Sequence, residues 1–162
     1  MAGDALAALP QKLRPTDVPP KIGTTAYPAE LRSACDGREK HALGDAFGLT
    51  QYGVNFTVLR PGAASALRHW HMEEDEFVYV LSGELTLITG RGETVLKAGE
   101  CTAFPAGRAD GHVIVNRSNE AATYLEVGHR SQTDTISFPD HDLHGTKSGG
   151  KYAFTRKDGS PI

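Results

Sequence analysis

Cysteine is scarce in this chain of 162 residues: only Cys35 and Cys101 occur, and no C-x-x-C pair is present. A disulfide framework and a thiolate zinc site are thereby excluded, and both thiols are expected to be reduced. Long apolar runs are missing as well. None exceeds the five residues of Phe77-Val78-Tyr79-Val80-Leu81, against the ~20 that a membrane helix needs, so no membrane partner is expected. Seventeen Lys and Arg stand against 20 Asp and Glu, a formal charge of −3, with no basic block. Counterion release on nucleic acid needs clustered positive charge, and neither a helix-turn-helix pattern nor a basic recognition helix is found, so no nucleic-acid partner is expected. The start, Met1-Ala2-Gly3-Asp4-Ala5-Leu6, carries an acid where a secretory signal has positive charge, and its apolar stretch ends at Pro10. A cytoplasmic location is the expectation.

Turn formers are plentiful: 18 glycines and nine prolines are spaced along the chain without an internal repeat. Five prolines (Pro10, Pro15, Pro19, Pro20, Pro28) fall in the first 28 residues, where each fixes φ and removes a ladder donor. This segment reads as an extended arm. Pro28-Ala29-Glu30-Leu31-Arg32 predicts a helix of one or two turns with Pro at its first position. From Tyr52 the pattern changes to short β-rich runs: Tyr52–Leu59, Ala66–His71, Glu76–Leu81, Glu84–Thr89, Thr94–Leu96, Cys101–Phe104, His112–Asn116 and Thr123–Val127. Turns such as Ser82-Gly83, Ala98-Gly99 and Pro105-Ala106-Gly107 separate them, which suits an all-β sandwich or barrel. Gly83 and Gly99 sit where a positive φ is needed. Phe138–Gly150 reads as an irregular loop, and Lys151–Thr155 as a late strand.

His69-Trp70-His71 lies in one of these runs, and residues two apart on a strand face the same way. The two imidazoles can converge while Trp70 turns away. Glu76 opens the next strand and can return a carboxylate to the same place, and His112, at the start of another run, can supply a fourth ligand from across a barrel. Three imidazoles and one carboxylate suit zinc, manganese, iron, nickel or cobalt, and in an octahedral ion they leave two positions open. Glu73, Glu74 and Asp75 are rival carboxylates, but three consecutive acids read as a solvated turn, so Glu76 is preferred. Arg60, Arg68, Arg108, Arg117 and Arg130 flank strand ends and can each grip an anionic group. His141 and His144 read as loop histidines, or else as part of a lid. Tyr52, Asn55, Tyr124 and Glu126 can line a pocket, and Glu126 is the candidate general base.

Gly62-x6-His69-x-His71-x4-Glu76-x6-Gly83 resembles the first motif of the cupin superfamily, and Gly99-x5-Pro105-x-Gly107-x4-His112-x3-Asn116 resembles its second. One extra residue separates Gly62 from His69 and two extra separate Gly107 from His112, insertions that turns tolerate. The resemblance implies a double-stranded β-helix, the jelly-roll barrel. It also implies one divalent transition-metal ion per chain on His69, His71, Glu76 and His112. Residues 1–48 would be an arm and short helix packed on the barrel, 49–130 the barrel core, and 131–162 a C-terminal loop and late strand, one domain overall. Arms of this kind imply a homodimer. One fold hosts many chemistries. The H-W-H motif resembles that of sugar-phosphate isomerase-like cupins, which implies a small-molecule substrate and metal-assisted isomerisation. Iron-dependent dioxygenation and non-catalytic ligand or metal sensing are the other readings.

Overall fold

A computed structural model describes residues 9–162; the first eight residues, with the start of the arm, lie outside the described residues. Among the described residues, thirteen strands form two facing layers. The first is a six-stranded sheet in the order β1 (Lys21–Ile22), β2 (Arg38–His41), β3 (Tyr52–Leu59), β10 (Ala122–His129), β5 (Glu76–Ser82), β8 (Cys101–Phe104). Facing it are a three-stranded sheet, β7 (Gly92–Lys97), β6 (Glu84–Thr89), β9 (Val113–Val115), and a four-stranded sheet, β13 (Lys151–Thr155), β12 (His144–Ser148), β11 (Thr133–Ser137), β4 (Trp70–His71). Single bridges, Ala64 to Val115 and His69 to His112, join these two into one layer. All named strand pairs are antiparallel. The arrangement is the jelly-roll barrel that the sequence implied.

The period-2 pattern explains the sidedness. On β5, Val78 and Val80 point inward and are buried while Phe77, Tyr79 and Leu81 stay exposed. The inward residues join Leu59, Leu85, Leu96, Ile114 and Tyr124 in one core cluster. A second cluster, Tyr27, Cys35, Leu67, Ile136, Phe138 and Leu143, pins the N-terminal segment and the C-terminal sheet to the barrel. Gly83 (φ 77°) and Gly99 (φ 91°) take the left-handed backbone expected of them. At Gly83 a Cβ would also meet the Cβ of Ala122 at 2.8 Å. Cys35 is buried and Cys101 exposed, and both are free.

Several expectations need correction. The predicted helix at Pro28 is a 3-10 helix, Ala29–Cys35, with Pro28 capping it rather than opening it. The run Ala66–His71 shrinks to Trp70–His71, with His69 held only by its bridge to His112. The stretch Phe138–Gly150 is not wholly irregular: it contains β12, paired on both sides, and the unforeseen β11 precedes it. Gly145 is what lets β12 fit there, since a Cβ would lie 3.1 Å from the Phe154 ring and 3.3 Å from the Cβ of Ile136.

Candidate metal centre

His69, His71, Glu76 and His112 converge inside the barrel, as their strand positions require. Glu76 Oε2 lies 2.9 Å from Nε2 of His112, 3.8 Å from Nε2 of His71 and 3.9 Å from Nε2 of His69. The rings of His71 and His112 each sit 4.9 Å from that of His69. Phe138 stacks on His69, and Phe104 lies parallel to His112 at 3.5 Å. Trp70 does not line this cavity, in keeping with strand alternation.

The outer nitrogens explain the inner ones. His69 Nδ1 donates to the carbonyl of Leu67 at 2.7 Å, and His71 Nδ1 donates to Asp134 Oδ2 at 2.5 Å. Each ring therefore carries its proton outside and turns the bare Nε2 inward. Glu76 Oε2 is buried and finds no hydrogen-bond partner there. An orphaned carboxylate oxygen ringed by imidazole nitrogens fits a divalent cation, the one partner able to satisfy all these lone pairs at once. Burial drives His69 down to a pKa of about 4 although Glu76 opposes the shift. Burial works against His71 as well, but Asp134 and Glu76 outweigh it and hold that imidazole above its ordinary value. For Glu76, burial is outweighed by the surrounding histidines, which keep the carboxyl below the usual carboxylate range.

The site opens into a cavity of about 340 Å³. Asn55, Tyr124 and Glu126 line it, whereas Tyr52 is exposed and does not. Glu126 pairs with Lys40 Nζ and accepts a hydrogen bond from Asn55 Nδ2 at 2.9 Å. Glu74 departs from the expected solvated turn: it is 7% exposed, accepts from Lys147 Nζ at 2.7 Å and from the Ser131 amide at 2.8 Å, and lies 3.3 Å from the Tyr152 hydroxyl. Of the five arginines flagged in the sequence, only Arg130 lines the cavity, and it pairs with Asp45. Arg60 pairs with Glu39, Arg68 with Asp140 and Arg117 with Glu93 on the surface. His141 and His144 do not line the cavity. Sequence reasoning missed Arg38, Asp134, Lys147 and Tyr152, which reach the site only through long-range pairing, and it set Glu74 aside as part of a solvated turn.

Fold and site together define a class: small jelly-roll barrels with a three-histidine, one-carboxylate candidate metal centre. The cupin domain model matches residues 55–128. A sugar phosphate isomerase of the cupin superfamily from Silicibacter pomeroyi is 48% identical, with a TM-score of 0.89 over 93% of this chain and 96% of that one. A candidate sugar phosphate isomerase from Acidithiobacillus ferrooxidans is 30% identical, with a TM-score of 0.71 over 77% and 80%. The polyketide cyclase of Streptomyces resistomycificus shares the fold alone, at 20% identity and a TM-score of 0.60 over 75% of this chain and 80% of that one. No curated protein matches the chain. The chain belongs to the cupin superfamily. No helix among the described residues is long and apolar enough to cross a membrane.

Proposed function

We propose that this cupin is a divalent-metal-dependent isomerase of a small phosphorylated sugar or hydroxy-ketone, with His69, His71, Glu76 and His112 as metal ligands. The observation that carries the reading is the unpartnered Glu76 oxygen among three imidazole nitrogens, at the wall of a cavity sized for a small molecule. Its similarity to the Silicibacter pomeroyi protein supports the substrate class. The bound ion, zinc, manganese, iron, nickel or cobalt, supplies Lewis-acid polarisation of a carbonyl and its neighbouring hydroxyl. The chain supplies the rest. Glu126, its aim fixed by Lys40 and Asn55, takes a proton from the carbon beside the carbonyl and returns it to the adjacent carbon. Val78, Ile136 and Phe154 are among the apolar side chains of the wall, which limits water around the reacting carbons.

NMR of aldose and ketose phosphates in deuterated water tests this. Deuterium enters the carbon next to the carbonyl, without oxygen and with Zn²⁺, Mn²⁺ or Co²⁺, and Glu126→Gln stops it. Oxygen uptake with Fe²⁺ would make the protein a dioxygenase, and tight ligand binding without turnover a sensor. The protein is proposed to work in the cytoplasm as a homodimer held through the N-terminal arm, so deleting residues 1–27 should give monomers in sedimentation.

A further inference from the structure

Four cationic side chains line the cavity: Arg38, Lys40, Arg130 and Lys147. A carboxylate meets three of them, Glu126 at Lys40, Asp45 at Arg130 and Glu74 at Lys147. Arg38 has none. It is 8% exposed and, among the described residues, no carboxylate comes within ion-pair distance. Its Nη1 donates to the carbonyl of Ser65 and its Nη2 to that of Thr24 at 2.5 Å, while Nε is buried without a partner. The two carbonyls fix the plane of the guanidinium and leave its charge unneutralised. A buried lysine can shed its proton to escape such desolvation; a guanidinium cannot. Burying an unpaired charge is expensive, so the position calls for an anion.

Tyr124 repeats the pattern on β10, which is separated from the strand of Arg38 by β3. It is fully buried, lines the same cavity, and carries a hydroxyl with no partner; Thr57 Oγ1 lies nearby without completing a hydrogen bond to it. Arg38 and Glu76 both act electrostatically on Tyr124 and on Tyr27, which places all four in one region of the barrel interior. Buried donors are rarely left unpaired, and here a fixed cation and a phenol are unpaired on one wall.

We propose that Arg38 and Tyr124 form an oxyanion subsite, which receives the phosphate or carboxylate group of the substrate beside the metal centre. The unpartnered Nε–H of Arg38 suits an oxygen of either group, and the Tyr124 hydroxyl adds a further donor. The inference rests on the function proposed above and names where the charged end of that substrate sits. It also accounts for the cost of Arg38: the bound anion neutralises a charge that the chain leaves unmatched.

Calorimetric titration of inorganic phosphate, and separately of glycolate, into the full-length Zn²⁺-loaded protein tests it. One of the two binds one-to-one, and the tighter binder identifies the group. Tyr124→Phe removes only an unpartnered hydroxyl, so the melting temperature holds while oxyanion affinity falls about tenfold, the scale of one charge-assisted hydrogen bond. Arg38→Gln abolishes binding. The His69→Ala/His71→Ala protein, free of metal, still binds the oxyanion, and Tyr124→Phe weakens that binding too, so the metal reading and the subsite fail separately. No binding of either probe, or the same affinity in wild type and Tyr124→Phe, overturns the proposal. Should Arg38→Gln not fold by circular dichroism, Tyr124→Phe alone decides.

Discussion

Asp134→Asn changes one atom type in a fully buried side chain, and its effect follows from who donates to whom. Asp134 Oδ2 accepts the Nδ1 proton of His71 at 2.5 Å, and Oδ1 accepts the Glu73 amide at 2.8 Å. Asparagine has one acceptor oxygen and one donor amide, so one of these two N–H groups must face another N–H. If the amide faces His71, the imidazole loses its anchor and is pushed toward the wrong tautomer. If it faces Glu73, the acidic turn before Glu76 loses its clamp. Either way a charge-assisted hydrogen bond worth about 1.5–3 kcal/mol disappears. Loss of such an outer partner typically costs 10–100-fold in metal affinity. We expect Zn²⁺ affinity, measured by competition with a chromophoric chelator at pH 7.5, to fall by about tenfold or more. Urea denaturation of the metal-free protein should show a loss of about 1–3 kcal/mol. Affinity within twofold of wild type together with an unchanged urea midpoint would refute the role assigned to Asp134.

Single substitutions His69→Ala and His71→Ala should each abolish binding of one divalent ion per chain by elemental analysis, and Glu76→Gln should weaken it less; metal retained in the double histidine variant sinks the assignment. His112→Ala should keep the fold by circular dichroism and lose metal affinity at least ~10-fold, whereas His41→Ala should lose none, because its Nδ1 already binds the Val18 carbonyl at 2.6 Å. Lys147→Met strands Glu74 in a site where both side chains are under a tenth exposed, a change that costs about 3–5 kcal/mol in denaturant melts, and a Glu74→Leu/Lys147→Met pair should recover most of it. Gly83→Ala, forced into a positive φ and against Ala122, should lower stability by about 1–3 kcal/mol, with metal binding untouched.

The four proposed ligands were legible as a set because they stand at matching positions of the two motifs that resemble those of the cupin superfamily. The H-x-H pair needs only strand alternation, and Glu76 and His112 open strands whose apolar runs are plain in the sequence. Asp134, by contrast, reaches His71 only because β11 pairs with β4, Ile136 opposite His71 and Ser137 opposite Trp70. Nothing within a few residues of Asp134 signals that pairing. Glu74 misled for the opposite reason: its neighbours Glu73 and Asp75 are exposed, and the cation that draws it inward, Lys147, comes from a Gly-rich stretch whose strand character is visible only against Ile136 and Phe154. Arg38 lay in the segment 1–48 read as an arm and short helix packed on the barrel, yet β2 pairs with β3 from Arg38 opposite Leu59 to His41 opposite Phe56. Propensity carries no information about such partners.

The division of labour along the barrel bears on how this protein diversifies. The stretch matched by the cupin domain, residues 55–128, holds all four proposed ligands. Much of the remaining wall comes from outside it: Thr25, Tyr27, Arg38 and Lys40 before, Lys147, Tyr152 and Phe154 after. A chimera that keeps residues 55–137, so that Asp134 still holds His71, and exchanges what lies on either side should therefore keep its metal and change its choice of substrate. Trimming either end to tidy an expression clone removes part of the binding wall itself.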